Sequence, residues 1–422
     1  MPKPFENNHL LKDRDKLRLA VLSPFLDRQH GTELCIIEQI ERLSQLDHWE
    51  IHLYSQKVQQ LDGVRRAGNP SSDNNKEGIV WHKIADIPGP HLFKYLWWFF
   101  ANQIWRWWDK RSGLICPQLT YSPGINCLDA DVIVVHIVFH EFYARVRSEL
   151  ALNRTALSHW PRVIHRKLYY KLIKALERKI YSQRSVALVA VSTLVAKQLK
   201  THFQRDDVNV IPNAVDTIRF SPEARRVRRS ESRKLFQYSD EEIVILLIGN
   251  DWKKKGVDTL ISAARQVGNP HLRLLLVGGD DPSFYREMID KLNLREQIRF
   301  EEPRREVLDF YAAADLYAGP SLEDAFNLPI LEAMACGLPV IGSVEAGASE
   351  NISDGETGLL LRNPKDHEEL AEHIRRIVED ENLGARLGIA ASQFVRVNCT
   401  WDQNAEKTRQ VLEEKLSGRR RA

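Results

Sequence analysis

Cysteine is scarce and scattered in this chain of 422 residues. The five cysteines are odd in number and fit neither a disulfide framework nor the spacing of a zinc site. No run of roughly 18 apolar residues occurs, so the sequence predicts no membrane-spanning helix. The segment 1–16 is polar and charged and lacks the apolar stretch of a secretory signal. We therefore expect a cytoplasmic protein.

A strong charge of one sign is also missing. The formal net charge of +3 is too small to indicate nucleic-acid binding by itself. With 43% hydrophobic and 28% charged residues and no low-complexity tract, the composition is that of an ordinary globular protein. The length allows two domains, each with a substantial core.

The most informative stretch runs from Gly319 to Gly358. An apolar run ends at Pro320, and Pro329 stands near the start of an apolar helical segment, where a helix tolerates proline because its first N–H groups have no intrahelical partner. The sequence Gly337-Leu338-Pro339 ends that helix, and 340–342 reads as a strand. The pattern predicts strand, loop, helix and strand in succession.

Such a loop lies at the carboxyl edge of a parallel sheet, where backbone donors and the positive end of a helix favour phosphate. Asp324 and Glu332 stand eight positions apart, one in the loop and one on the helix. A carboxylate accepts two hydrogen bonds from neighbouring hydroxyl groups, so the two acids suit a sugar and not a phosphate. We expect a diphosphate to bind backbone N–H groups and a cation.

The segment SLEDAFNLPILEAMACGLPV, followed by Glu350 and by DGETG at 354–358, resembles the donor-sugar motif of the retaining family 4 glycosyltransferases of GT-B fold. That motif has two glutamates separated by seven residues and followed by Ala-Met-Ala. Glu332 matches the second glutamate, and Asp324 replaces the first with a shorter acid. The resemblance implies an α/β protein with two Rossmann-like, doubly wound parallel-sheet domains facing across a cleft. We place the domains at 1–215 and 222–395, with a terminal helix at 400–417 packing back on the first.

The resemblance also implies roles for single residues. Lys255 would stabilise the leaving diphosphate, Asp324 would bind the donor sugar and Glu332 the ribose hydroxyls. Asn250 stands where the family usually has an arginine. The backbone of Phe326, Asn327 and Leu328 would complete the donor site.

No metal is expected, because the enzymes that the chain resembles need none. The pair Asp280-Asp281 precedes Pro282 and therefore favours a turn, with a metal site as the alternative.

In the first domain, the loop 24–31 connects a predicted strand at 17–23 to a predicted helix at 32–43. By resemblance, Gly31 would let the backbone approach the diphosphate; the alternative is a plain strand-to-helix turn. A strand at 131–136 ends in His136, with His140 just beyond. Either histidine could contact the donor sugar, as one does in family members, and His140 is the catalytic candidate; a structural histidine is the alternative.

Two stretches of the first domain raise the question of membranes. The segment 92–108 interleaves five tryptophans with Lys94 and Arg106, which is typical of an interfacial helix, although a packed helix is the alternative. The segment 145–184 carries eleven basic residues against two glutamates. An anionic membrane, a nucleic acid or simply a solvated helix face would explain that surplus.

Other segments complete the predicted alternation of strands and helices, which favours parallel sheets. We expect a surface loop at 62–77, a strand at 208–215, one helix at 364–387 and a loose basic tail at 418–422.

The sequence thus predicts a metal-independent retaining hexosyltransferase without a cofactor. Its donor would be a UDP- or GDP-sugar, and its acceptor a glycan or lipid-linked sugar of the cell envelope. The layout of the segment 250–256 more weakly resembles that of the lipopolysaccharide-core glucosyltransferases within the family, and a peripheral position on the inner membrane face goes with that acceptor. A nucleotide-sugar epimerase, a non-catalytic nucleotide-sugar-binding relative and a nucleic-acid-binding protein are the alternatives.

Overall fold

The computed structural model describes residues 16–28, 30–46, 48–67, 78–113, 115–146 and 160–421, which we call the described part of the chain. The predictions for 1–15, for 68–77 and for Arg147, Glu149 and Arg154 lie outside it. Within the described part, no helix is both long and apolar enough to cross a bilayer.

The chain divides into two units, and each unit combines separate stretches of sequence. The first unit comprises residues 1–189, 202–209 and 405–422, and the second comprises 190–201 and 210–404. The boundary that we placed between residues 215 and 222 falls inside the second unit. The last residues of the chain belong to the first unit, after the second unit is complete.

The strands up to residue 210 form an eight-stranded sheet in the order β10-β9-β8-β7-β1-β3-β6-β5. Residues 19–22 of its central strand β1 are apolar and fully buried, as expected where helices cover both sides of a parallel sheet. The strands are β1 (Leu17–Leu22), β3 (Trp49–Ser55), β5 (Val64–Arg66), β6 (Ile79–Lys83), β7 (Leu119–Pro123), β8 (Val132–Val135), β9 (Ala187–Ala190) and β10 (Asn209–Val210), while β2 (Phe25–Leu26) and β4 (Lys57–Val58) pair separately.

The helices of the first unit in the described part of the chain include α1 (Gly31–Ser44), α2 (His91–Arg111), α3 (Phe139–Val146) and α4 (Trp160–Tyr181), whereas α5 (Thr193–Phe203) begins in the second unit and ends in the first.

A six-stranded sheet, parallel throughout, forms the second unit in the order β13-β12-β11-β14-β15-β16. Its strands are β11 (Ile243–Ile248), β12 (Leu272–Val277), β13 (Ile298–Glu301), β14 (Leu316–Gly319), β15 (Val340–Ser343) and β16 (Leu359–Leu361). Its helices are α6 (Pro222–Leu235), α7 (Val257–Val267), α8 (Ser283–Leu292), α9 (Leu308–Ala313), α10 (Leu328–Ala335), α11 (His367–Glu379), α12 (Glu381–Asn398) and the start of α13 (Trp401–Arg421).

The sequence runs β11, β12, β13 toward one edge and then returns to place β14 on the other side of β11. The loops after β11 and β14 therefore leave the sheet side by side at the point where the strand order reverses. In open parallel sheets this is the usual position of a ligand site.

Four sequence predictions are wrong. Part of the expected surface loop at 62–77 is strand β5, which pairs with β6, and the strand expected at 208–215 is only the two-residue β10. The helix expected at 364–387 is two helices, because Asp380 leaves the helical conformation and its side chain caps α12 by accepting from the Leu383 N–H. The tail from 418 is not loose but continues α13, and Arg419 forms an ion pair with the buried Asp131.

Helix α2 has one packed face and one exposed face, so the alternative of a packed helix that we weighed for the aromatic segment holds for one side of it. One face is buried through Trp98, Phe99 and Asn102, and Arg106 on that face pairs with Asp129 at 2.7 Å. The opposite face is exposed, and the large apolar side chains on it are Phe93, Phe100, Ile104, Trp107 and Trp108.

Candidate functional site

Two glycines leave the space that Lys255 and its loop occupy at the carboxyl edge of the second sheet. Gly249, directly after β11, has φ +147°, and a Cβ there would lie 2.5 Å from Cε of Lys255. Gly256 has φ +76°, and a Cβ there would lie 2.0 Å from the Pro320 carbonyl oxygen in the loop after β14. Glycine is therefore required at both positions, since any side chain would displace either the lysine or the neighbouring loop.

Lys255 contacts two other predicted site residues directly. Its Nζ lies 2.5 Å from Oδ2 of Asp324 and 3.1 Å from Oδ1 of Asn327. The lysine and aspartate side chains are 15% and 19% exposed, so the pair is sheltered but still reaches solvent. An ammonium group has three donors, and these contacts use two, which leaves one for an anion that approaches the loop.

The loop that carries Asp324 is fixed by its own backbone. The N–H of Asp324 donates to the Glu345 carbonyl at 2.9 Å, and the Gly347 N–H donates to the Asp324 carbonyl at 3.0 Å. Asn327 has φ +66°, a left-handed conformation that asparagine tolerates better than most residues, and it starts α10. The Phe326 N–H already donates to Oδ1 of Asp324 at 3.1 Å. Of the three backbone donors that we predicted, only those of Asn327 and Leu328 lack an acceptor in the described part of the chain.

Glu332 is held by a tyrosine. The hydroxyl of the fully buried Tyr311 donates to Oε2 of Glu332 at 2.5 Å. Burial raises the pKa of Glu332, while the Tyr311 hydroxyl and the charge of Arg219 oppose that shift. The hydrogen bond leaves Oε1 of this carboxylate without a donor in the described part of the chain, so the side chain presents one defined oxygen to a ligand.

Asn250 and Asp280 join the loops after β11 and β12. Oδ1 of Asn250 accepts from the Gly279 N–H at 2.9 Å, and the carboxylate of Asp280 accepts from the Asp251 N–H at 2.9 Å. Asp281 accepts from the Ser283 N–H, also at 2.9 Å. These contacts are those of a turn. The described residues include no group of three or more His, Cys, Asp or Glu side chains that could hold a metal ion.

Glu350 braces the donor-motif segment against the start of α5, which also belongs to the second unit. Its carboxylate accepts from the Thr193 N–H at 3.0 Å, from the Thr193 hydroxyl at 2.6 Å and from the Leu194 N–H at 3.0 Å. A carboxylate at a helix N-terminus satisfies the free donors of the first turn and interacts favourably with the helix dipole. The nearby Ser192 hydroxyl donates to the Ala325 carbonyl at 2.7 Å, so the loop is held from this side as well.

His140 lies in the first unit, at the start of α3. Its Nδ1 is 2.6 Å from Oε2 of the fully buried Glu177, and the N–H groups of Phe139 and His140 donate to the same carboxylate. Burial, together with nearby Lys174, lowers the pKa of His140 to about 4, and burial raises the pKa of Glu177 to about 8. The imidazole is therefore neutral at pH 7, with Nδ1 engaged.

His136 and Gly31 also lie in the first unit. Burial lowers the pKa of His136 to about 4, and its Nε2 has no partner in the described part of the chain. Gly31 is the first residue of α1, and a Cβ there would meet no described atom within 4 Å. Local sterics do not require glycine at this position. The roles that we predicted for these residues stay predictions.

Sequence reasoning missed two residues that position the candidates. Tyr311 orders Glu332 from 21 positions away, and no local pattern indicates that contact. Glu177 offered a signal, since it is one of only two acids among eleven basic residues at 145–184. A single acid on an otherwise basic helix is a candidate for a buried residue that binds another part of the protein.

Two family models match the chain. The model for Glycosyltransferase Family 4 matches residues 30–219, and the model for Glycosyl transferases group 1 matches residues 228–394. Together they include every predicted site residue.

Curated relatives match mainly over half of the chain. The lipopolysaccharide glucosyltransferase WaaG of Escherichia coli K12 is 26% identical over 220 residues, which are 51% of this chain and 59% of that protein. The D-inositol 3-phosphate glycosyltransferase of Stackebrandtia nassauensis is 29% identical over 215 residues, which are 48% of this chain and 47% of that protein. The chain thus spans about half the length of the curated relatives that it matches.

Several solved structures match over nearly the whole chain. Among them is a crystal structure of WaaG, described as a glycosyltransferase involved in lipopolysaccharide biosynthesis, with a TM-score of 0.70 and 19% identity. The match covers 92% of this chain and 98% of that chain. At this identity the likeness concerns the fold, which is GT-B.

Proposed function

Because this chain belongs to the family 4 glycosyltransferases of GT-B fold, we propose that it moves a hexose from a UDP- or GDP-sugar to a glycan or lipid-linked acceptor of the cell envelope, with retention of anomeric configuration. The observation that carries the proposal is the contact of Lys255 with Asp324 and Asn327 where the strand order of the second sheet reverses. The loops after β11 and β14 thus bring a cation next to an acid that can bind a sugar. This arrangement suits a donor whose diphosphate and sugar must bind side by side.

Each residue has a distinct task in this reaction. Lys255 stabilises the charge that grows on the departing diphosphate, and the free N–H groups at the start of α10 add to it. Asp324, fixed by its backbone contacts, accepts hydrogen bonds from the donor sugar. Glu332, oriented by Tyr311, accepts them from the ribose. The reaction needs no metal or cofactor in this scheme, because the lysine and backbone donors neutralise the diphosphate.

A front-side displacement agrees with this arrangement. In such a reaction the acceptor hydroxyl attacks on the face from which the diphosphate leaves, and a diphosphate oxygen takes its proton. The carboxylate of Asp324 is engaged by Nζ of Lys255 and by the Phe326 N–H, which suits a role in binding the sugar more than a role as nucleophile.

The test is nucleotide release from a panel of UDP-, GDP- and ADP-sugars. The full chain is compared with Lys255→Ala and Glu332→Ala, and with Lys291→Ala as a matched control, since Lys291 is an exposed lysine of the same unit. We expect slow hydrolysis of one donor by the wild type and the control, and a loss of about 100-fold or more in the two site variants.

Three other results separate the alternatives. Turnover of the nucleotide sugar to an isomer, without release of nucleotide, indicates an epimerase. Binding without release, even with membrane extract as the acceptor source, indicates a non-catalytic relative. Salt-dependent binding of RNA or DNA without nucleotide affinity contradicts the proposal altogether.

The exposed face of α2 supports a position at the inner face of the cytoplasmic membrane. Phe93, Trp107 and Trp108 on this face are 61%, 52% and 60% exposed, and Lys110 and Arg111 follow in the last turn. Aromatic side chains beside basic ones suit the boundary between headgroups and acyl chains. Co-sedimentation with anionic vesicles tests this. Binding should fall in Trp107→Ser with Trp108→Ser, and unchanged binding would contradict it.

A further inference from the structure

The first unit contains a cavity of about 560 Å³ that the proposed donor chemistry does not use. Its lining combines the start of α3 with one side of α4, and its members are His140, Tyr143, Lys167, Lys171, Lys174, Ala175 and Arg178. A volume of this size is within the usual range for small-molecule sites.

The four cations reach the cavity because of their spacing. Positions 167, 171, 174 and 178 are separated by four, three and four residues, which places them on one face of a helix. Other basic residues of α4, among them Arg166 and Lys179, are exposed but do not line the cavity. Four basic residues of α4 thus line the cavity, and other basic residues of the same helix lie on the open surface.

No carboxylate is among the described residues that line the cavity. Within the described part of the chain, none of the four cations forms an ion pair, and Nζ of Lys174 lies 4.4 Å from the centre of the Tyr143 ring. Glu177, on the same helix, is fully buried, already accepts from two backbone N–H groups and lies 2.6 Å from Nδ1 of His140. Lys167 and Lys174 are themselves half-buried, so like charges are held together with reduced hydration.

Resting on the transfer reaction proposed above, we propose that this cavity binds a phosphate or diphosphate group on the acceptor, with His140 at its edge. A group with two or more negative charges matches four cations, whereas a single carboxylate would leave most of them uncompensated. The cavity is much larger than a phosphate, so it has room for part of the sugar that bears the group. The acceptor is then a sugar phosphate in solution or a phosphate-bearing lipid headgroup, and the chemistry of recognition is the same.

The test uses two double variants of the full chain. Lys171→Ala with Arg178→Ala removes two exposed cations from the cavity, and Arg166→Ala with Lys179→Ala removes two exposed cations from the same helix outside it. Both variants lose the same charge, and neither replaces a buried side chain. The probes are glucose 6-phosphate, with glucose as its uncharged match, and phosphatidylcholine vesicles with and without phosphatidic acid.

We expect the cavity variant to bind one phosphate probe about tenfold or more weakly than the wild type, since each lost charge-assisted hydrogen bond corresponds to about that factor. The control variant should bind it like the wild type. An effect on glucose 6-phosphate identifies a soluble acceptor, and an effect on phosphatidic acid vesicles alone identifies a headgroup. If neither probe separates the two variants, the inference is wrong.

The donor site is tested separately in the same experiment. Lys255→Ala should lose nucleotide release and keep the wild-type affinity for the phosphate probe, and the cavity variant should show the reverse. Glucose 6-phosphate binding that disappears in Lys255→Ala and persists in the cavity variant would overturn the inference. A further outcome is that the wild type turns over no donor while the cavity variant still loses binding of the phosphate probe. That result would refute sugar transfer and still support the anion site.

Discussion

The hydrogen bond between Tyr311 and Glu332 permits a quantitative prediction. Replacing Tyr311 by Phe removes one oxygen and leaves the fully buried ring in place, so no cavity forms. Its hydroxyl donates to Oε2 of Glu332 at 2.5 Å. Hydrogen bonds to charged groups contribute about 1.5–3 kcal/mol, so the free energy of unfolding of the second unit should fall by about that amount at pH 7.

The measurement is urea unfolding at pH 7, and Tyr238→Phe is the matched control. The Tyr238 hydroxyl is buried and has no hydrogen-bond partner in the described part of the chain, so its removal should cost less than about 0.5 kcal/mol or stabilise the protein. Glu332→Gln completes a double-mutant cycle. The coupling energy between Tyr311 and Glu332 should be at least about 1 kcal/mol.

The pH dependence has a definite sign. Burial raises the pKa of Glu332, and the Tyr311 hydroxyl lowers it, so the pKa is higher still in Tyr311→Phe. The stability difference between wild type and variant is therefore present above the pKa of Glu332 and shrinks as the pH falls through it. A coupling energy near zero, equal effects of the two tyrosine variants, or a difference that grows at low pH would refute the reasoning.

Three further predictions follow from other contacts. Gly256→Ala should destabilise the second unit by more than Gly268→Ala does. Both glycines have φ near +70°, but only a Cβ at 256 would meet the Pro320 carbonyl. Thermal melting of both variants measures the difference, and equal melting temperatures would contradict the prediction. Burial raises the pKa of Glu177 from 4.5 to about 8, so the contribution of this group to stability is fully present below pH 4.5 and is lost as the pH rises through 8. The stability of the wild type relative to Glu177→Gln should therefore fall between pH 5 and pH 8. Urea unfolding across that range checks the sign. Glu350→Gln should destabilise the second unit by about 1–2 kcal/mol, because the amide no longer carries the charge that caps α5, and an unchanged urea midpoint would show that the cap contributes nothing.

Local signals predicted the elements around the donor motif closely. Pro320 marks the end of β14, Pro329 lies in the first turn of α10, and Gly337-Leu338-Pro339 separates α10 from β15 as expected. Each of these residues acts through its own backbone conformation, so a single sequence is enough to place it.

Contacts between distant residues could not be predicted in the same way. Lys255 and Asp324 are 69 positions apart, and they meet because β14 lies beside β11, an order that no single strand pattern contains. The same holds for Glu177, whose two backbone donors lie 37 and 38 positions earlier. The break at Asp380 was missed because no glycine or proline marks it; the aspartate ends one helix and caps the next with its own side chain.

The division of the chain has a consequence for its synthesis. The first unit includes residues 405–422, and within it Gln39 of α1 donates to Thr408 while Arg419 pairs with Asp131. A ribosome makes these residues after all of the second unit. The N-terminal sheet therefore lacks the contacts of α13 until the second unit has been synthesised.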